Sequence, residues 1–93
     1  MKFEWDEDKS RINKEKHGID FETANNLWLD EDRVEIYAPY PIEDRGIIIA
    51  KYHHKLWAAI YTIRDDTIRI ISVRRARKRE VNLYEKESVG KKQ

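Results

Sequence analysis

The sequence predicts an α+β domain: an N-terminal helical hairpin, an antiparallel meander of about four strands and a C-terminal helix. Three observations carry this. Apolar residues recur at helical spacing up to Leu29, and the pattern changes to strand-like alternation from Arg33 onward. Short turn signals separate three successive apolar runs, which is the signature of hairpins. The last of these runs, Ile68 to Val73, passes directly into the charged segment Arg74-Arg75-Ala76-Arg77-Lys78-Arg79-Glu80, which opens a helix.

The elements follow in order. Phe3-Glu4-Trp5 alternates briefly and predicts an edge strand. Asp6 is placed as an N-cap, and the helix it starts runs to His17, where Gly18 is a left-handed stop. Trp5, Lys9, Ile12 and Lys16 fall on one stripe of that helix, with lysine stems able to pack while their amines reach outward. Asp20 caps a second helix, Phe21 to Leu29, with Phe21, Ala24, Leu27 and Trp28 inward. So short a connection makes a helical hairpin. Asp30-Glu31-Asp32 is an acidic turn.

Strands are expected at Arg33 to Tyr37, Gly46 to Tyr52, Leu56 to Ile63 and Ile68 to Val73. Ala38-Pro39-Tyr40-Pro41 breaks the chain between the first two, and His53-His54-Lys55 and Arg64-Asp65-Asp66-Thr67 make the later turns. In the third strand Leu56, Ala58 and Ile60 face one way and Trp57, Ala59, Tyr61 and Ile63 the other. Both sets are apolar, so both faces of the sheet call for cover. The helical hairpin can cover one face, and the helix Ala76 to Lys86, with Ala76, Leu83 and Tyr84 inward, can lie at the end of the sheet or on its other face.

At 93 residues the chain suits one domain spanning residues 1–93. Its 3 Trp, 5 Tyr and 2 Phe are enough to build a core. Cysteine is absent, which removes disulfides and thiolate metal sites and fits a reducing, cytoplasmic setting. No apolar run approaches the roughly 20 residues of a membrane helix, so no membrane partner is expected. The first residues are acidic and unlike a secretory signal. No phosphate-cradling glycine loop, nucleophile elbow or zinc spacing occurs. Asp65-Asp66 sits in a turn with no third carboxylate well placed, so neither a metal nor another cofactor is expected.

The net charge is +1, but it is unevenly spread. Residues 1–46 hold 7 basic and 13 acidic side chains, and residues 47–93 hold 12 and 5. A bulk basic protein binds nucleic acid everywhere; this one offers a single basic side. Arginines filling a strand-to-helix junction repel one another unless an anion or carboxylates lie nearby. Phosphate is the obvious anion and nucleic acid its obvious carrier. The plainer reading is a charge-balanced surface in which acidic helices pair with the basic end.

Phe3-Glu4-Trp5-Asp6, Lys9, Asn13, Lys16-His17-Gly18-Ile19, Phe21 and Ala24 resemble the N-terminal signature of the BrnT toxin family. Arg69-Ile70-Ile71-Ser72, Arg74-Arg75-Ala76, Glu80 and Tyr84 resemble its C-terminal signature, with Val73 standing where the family usually has a small residue. The resemblance covers nearly the whole chain up to Tyr84. It implies a RelE-like fold, an endoribonuclease that arrests translation, and a BrnA-type antitoxin that binds in a heterooligomer.

RNA cleavage without metal uses the 2′-hydroxyl as nucleophile. The protein then supplies a base, an acid for the leaving oxygen and positive charge for the phosphorane. Arg64, Arg74 and Arg75 are candidates for the phosphorane, since guanidinium matches phosphate bidentately. Arg64 and Arg74 are placed in the catalytic group and Arg75 with the substrate contacts. His17, Glu80 and Tyr84 are candidates for proton transfer. Lys9, Arg77, Lys78 and Arg79 are candidates for holding the RNA strand.

Each has a structural rival. His17 answers the dipole at a helix C-terminus. Glu80 neutralises arginines, and Tyr84 anchors the last helix. Arg69 makes a cross-strand pair or meets the N-terminal carboxylates. Arg77, Lys78 and Arg79 form a solvated face. Two other functions stay open: a non-catalytic nucleic-acid-binding or antitoxin-partner module, and a pure protein-interaction domain. The antitoxin is expected to cover the basic groove by simple occlusion.

Overall fold

A computed structural model describes residues 1–38 and 44–91 of the chain. The elements are β1 (Lys2–Glu4), α1 (Glu7–His17), α2 (Phe21–Ala24), a 3-10 helix (Asn25–Leu29), β2 (Val34–Tyr37), β3 (Arg45–Tyr52), β4 (Lys55–Arg64), β5 (Thr67–Arg75) and α3 (Lys78–Lys91). The α+β arrangement is the expected one. The expected break at Pro39-Tyr40-Pro41 lies outside the described residues.

The caps form as their sequences require. Asp6 accepts the backbone N–H groups of Asp8 and Lys9, and Gly18 ends α1 with φ 80°. Asp20 accepts the N–H of Thr23 at 2.7 Å. The second helix keeps α geometry only through Ala24 and then tightens to 3-10 turns, still burying Phe21, Ala24, Leu27 and Trp28.

The five strands form one sheet in the order β1-β5-β4-β3-β2. β2 through β5 are the antiparallel meander. β1 adds a fifth strand, parallel to β5, with Phe3 opposite Ile68. A parallel pair is joined by a long crossover, here everything from α1 to β4, so no local turn in the sequence announces it. The hairpin turns are tight. His53 and His54 both take positive φ, as a two-residue turn of the primed type requires.

One face of the sheet carries the main core: Ile48, Ala50, Trp57, Ala59, Tyr61, Ile70 and Val73 under Ile19, Phe21, Ala24, Leu27 and Trp28. Gly46 makes room for it. A Cβ there would stand 2.7 Å from the ring of Tyr61, whose hydroxyl donates to Glu35 at 2.9 Å. The opposite face holds Ile49 and Ala58, both fully buried, on the side where α3 packs against β2 and β3. No helix of the described residues is long and apolar enough to cross a membrane.

Two features depart from the expected strand boundaries. β5 continues through Arg74 and Arg75, so both arginines are strand residues and α3 starts only at Lys78. β5 also contains a bulge. Ile60 opposes Ser72 while Tyr61 opposes Ile70, leaving Ile71 as the extra residue. The bulge shifts every later residue of β5 to the other face. Arg69 and Arg74, an odd number of residues apart, therefore share one face.

Candidate functional site

α1 is unusual in what it buries. Its buried residues are Ser10 and Asn13, both polar, while Ile12 of the expected stripe is exposed. Ser10 Oγ accepts the N–H of Phe21 at 2.9 Å. The Asn13 amide donates to the carbonyls of Ile19 (2.8 Å) and Val73 (2.9 Å) and accepts the N–H of Val73 at 3.2 Å. β1 pairs with β5 only along residues 67–69. Beyond the bulge, the Asn13 side chain satisfies the Val73 backbone as a neighbouring strand would. Helix α1 is thereby bonded to the edge of β5 just past the irregularity.

A groove of about 200 Å³ runs along this junction. α1 contributes Lys9, Ile12, Asn13, Lys16 and His17, and β5 contributes Ile71 and Ser72. The α1 residues lie at i, i+3, i+4, i+7 and i+8, one face of a helix. Lys9, Lys16 and His17 are exposed and make no ion pair among the described residues. The groove therefore sets three basic side chains on a part-apolar floor with the Ser72 hydroxyl close by. Lys16 and Ser72 were not among the sequence candidates. Lys16 had a legible signal, its place seven residues from Lys9, whereas Ser72 is brought here by the bulge.

The other candidates lie elsewhere. Arg74 donates from Nη1 and Nη2 to the two carboxylate oxygens of Glu80 at 2.7 and 2.9 Å. Both side chains are mostly buried, at 18% and 15% exposure. Glu80 also accepts the N–H of Arg77 at 2.7 Å, which caps the start of α3. The Arg74 hydrogen bond, aided by the Arg77 N–H, holds the Glu80 carboxyl below its ordinary range despite burial. Arg74 is raised in turn by the same bond. The two residues thus bind each other and fasten α3 to β5.

Tyr84 is buried and donates to Asp30 at 2.7 Å. Burial first, and that hydrogen bond second, raise its pKa well above the phenol's ordinary value. Asp30 is pulled up by burial, but the Lys51 N–H, the Tyr84 hydroxyl and the Asp32 N–H outweigh this and leave it lowered. Arg75 is exposed and lies over the Trp57 ring at 5.4 Å, with Nε donating to the Leu56 carbonyl at 3.4 Å. Arg77, Lys78 and Arg79 are exposed around the first turn of α3. Arg64 closes β4 at the far end of the hairpin, six strand residues or roughly 20 Å along from Ala58, the residue opposite Arg74. Arg69 meets Glu4 at 3.8 Å. The fold therefore does not gather Arg64, Arg74, Glu80, Tyr84 and His17 into one cluster. Among the described residues no group of three His, Asp or Glu side chains is arranged to hold a metal ion.

The groove, its α1 lysines and the β5 arginines all fall inside a match to one family model. Residues 5–80 match the model described as the ribonuclease toxin, BrnT, of type II toxin–antitoxin systems. No curated protein matches the chain. The matched span runs from Trp5, ahead of the α1 cap, to Glu80, the carboxylate that anchors α3, and this chain belongs to the BrnT ribonuclease-toxin family of type II toxin–antitoxin systems.

Proposed function

We propose that the chain is a single-domain, metal-independent endoribonuclease whose scissile phosphate lies in the groove between α1 and the β5 bulge. The observation that carries the reading is the set Lys9, Lys16 and His17, exposed on one helix face with no carboxylate neutralising them. Ammonium groups on either side of a phosphate stabilise the added negative charge of a phosphorane. Imidazole takes and gives protons near neutral pH. His17 takes the 2′-hydroxyl proton, the 2′-oxygen forms its bond to phosphorus, and the 5′-oxygen leaves and is protonated. The products are a 2′,3′-cyclic phosphate and a 5′-hydroxyl.

The strand then runs along β5. From Ser72 to Arg75 is three residues, about 10 Å, so Arg75 on Trp57 meets the next part of the RNA, and Arg77, Lys78 and Arg79 follow it. Arg74, Glu80 and Tyr84 act by position: they fix the end of β5 and the course of α3. Arg64, at the distant hairpin, contributes long-range attraction only. In the cell the enzyme is cytoplasmic, halts translation by cutting RNA, and is neutralised by a BrnA-type antitoxin in a heterooligomer.

The test is purified protein with RNA in EDTA, with and without ribosomes. Cleavage yielding a cyclic phosphate, lowered about 100-fold by His17→Ala or Lys16→Ala and kept by Arg64→Ala, is the expected result. RNA left intact under both conditions overturns the enzyme. One observation favours a second reading, a non-catalytic nucleic-acid-binding module: the groove holds one histidine and no carboxylate or tyrosine to complete an acid–base pair. That module binds RNA with strong salt dependence and leaves it whole.

A further inference from the structure

α3 covers only part of its face of the sheet. Side chains there form rows across the strands. One row is Val34, Ile49, Ala58 and Arg74; the next is Ile36, Ile47, Ile60 and Ser72; a third holds Arg45, Thr62 and Arg69. α3 starts beside Arg74, through Glu80, and packs on β3 and β2, so it lies along the first row. Ile49 and Ala58 beneath it are fully buried. In the second row Ile36 is 41% exposed and Ile47 and Ile60 are half-buried. Two hollows of about 460 and 330 Å³ share Ile36 and Ile47.

The vacancy has the dimensions of a helix. Adjacent rows are two residues apart along a strand, about 6.6 Å, and packed helices lie about 8–10 Å apart. A second helix beside α3 would sit over the isoleucine row, leaning toward the third row. From β2 to β5 is three strand spacings, about 14 Å, which some ten helical residues span. Such a helix would end at Ser72, on the rim of the α1 groove.

The banks of this channel are basic. α3 supplies Arg79 and Lys86 on one side, and Arg45 and Arg69 stand on the other. Arg45, Arg79 and Lys86 make no ion pair among the described residues. The isoleucine row itself offers nucleic-acid bases no ring to stack on, and Tyr37, at the edge of the smaller hollow, belongs to the row of Gly46 and Tyr61 on the other face. An apolar stripe flanked by carboxylates matches both floor and banks.

We propose that this channel is the docking site for an acidic amphipathic helix of the antitoxin, laid beside α3 on the isoleucine row with one end at Ser72. The proposal rests on the toxin–antitoxin reading, and it is independent of whether the α1 groove cuts RNA. The antitoxin then grips the sheet on a face away from α1 and reaches the groove only with its tip.

The experiment mixes the full chain with its cognate antitoxin, without RNA, and measures affinity. Ile36→Asp, at an exposed position, weakens binding by about 30-fold, the scale of an interface hot spot. Arg79→Glu and Lys86→Glu each weaken it by about 5-fold, in the range of a charge reversal at an interface rim. Lys9→Ala leaves it within about twofold, since no contact is lost. Amide exchange in the complex slows in β2 and α3. Should Ile36→Asp unfold by circular dichroism, the two charge reversals decide. Full affinity in all three channel variants, or a loss confined to Lys9→Ala, overturns the proposal; the latter places the antitoxin over the basic groove instead. Self-association of the free chain that Ile36→Asp abolishes also overturns it, because a second copy is then the occupant. Cleavage assayed without antitoxin separates this outcome from a failure of the ribonuclease reading.

Discussion

Two basic regions flank β5, and they use their charge in opposite ways. At the β5–α3 junction the most conspicuous cation in the sequence, Arg74, is bound bidentately by Glu80, which also caps α3. At the α1–β5 junction Lys9, Lys16 and His17 carry less charge density in sequence, yet no carboxylate engages them among the described residues. The attachment of α1 runs instead through the neutral side chains of Ser10 and Asn13. Charge in a sequence is therefore not charge on offer. An arginine that builds a junction is spent on it, and a helix held by neutral side chains leaves its lysines unengaged.

The largest expected effect tests the neutral anchor. Asn13→Ala leaves the Val73 N–H and the carbonyls of Val73 and Ile19 without their partner, and should cost about 3–4 kcal/mol in chemical denaturation. A loss under about 1 kcal/mol would mean that water replaces the amide and that α1 is held otherwise. Next in size is the groove. Replacing Lys16 or His17 by alanine should lower RNA cleavage about 100-fold while leaving the melting temperature in place. A greater loss from Arg74→Lys, with stability retained, would reverse the comparison and return the phosphate to the β5–α3 junction.

Third comes that junction itself. Glu80→Ala removes the partner of Arg74 and the cap of Arg77, and should destabilise the fold by about 2 kcal/mol; circular dichroism should show lost helix at α3. The smallest effect is in pH. Glu80 is lowered by its bond to Arg74, and Asp20 by the N–H of Thr23. For Asp30, burial acts upward, but the Lys51 N–H, the Tyr84 hydroxyl and the Asp32 N–H act downward more strongly. Carboxyls lowered in the folded state add stability that is fully present above their ordinary value near pH 4. It drains away as pH falls through their lowered folded values. Unfolding free energy should thus be flat near neutrality and fall on the acid side. Glu80→Gln should make that acid slope shallower, and an unchanged slope would show that the pair with Arg74 is not formed in solution.

Much of the architecture was legible beforehand. Asp6, Gly18 and Asp20 marked the helix ends, and the turn at Asp65-Asp66 together with alternation from Trp57 to Ile63 marked the last hairpin. The two signature blocks placed the chain in its family. The proposed site was legible only in pieces. Lys9 and His17 were visible as candidates, but nothing local distinguished them from Arg74, Glu80 or Tyr84. Tyr84 is committed to Asp30, a residue 54 positions away, and no spacing rule reaches so far.

What the sequence determined by itself is what short-range chemistry dictates: caps, periods, turns and an uneven charge. Each depends on neighbours within a few residues, whose sterics and hydrogen bonds are the same in any fold. Tertiary structure alone decided which cations remain open. The bulge at Ile71 turned Ser72 and Arg74 onto their faces, and β1 stopped short of Val73 so that Asn13 had to complete the edge. One inserted residue reverses every side chain beyond it. Availability of charge is likewise settled by partners the fold brings from afar, as Asn13 and Val73 are joined across 60 residues.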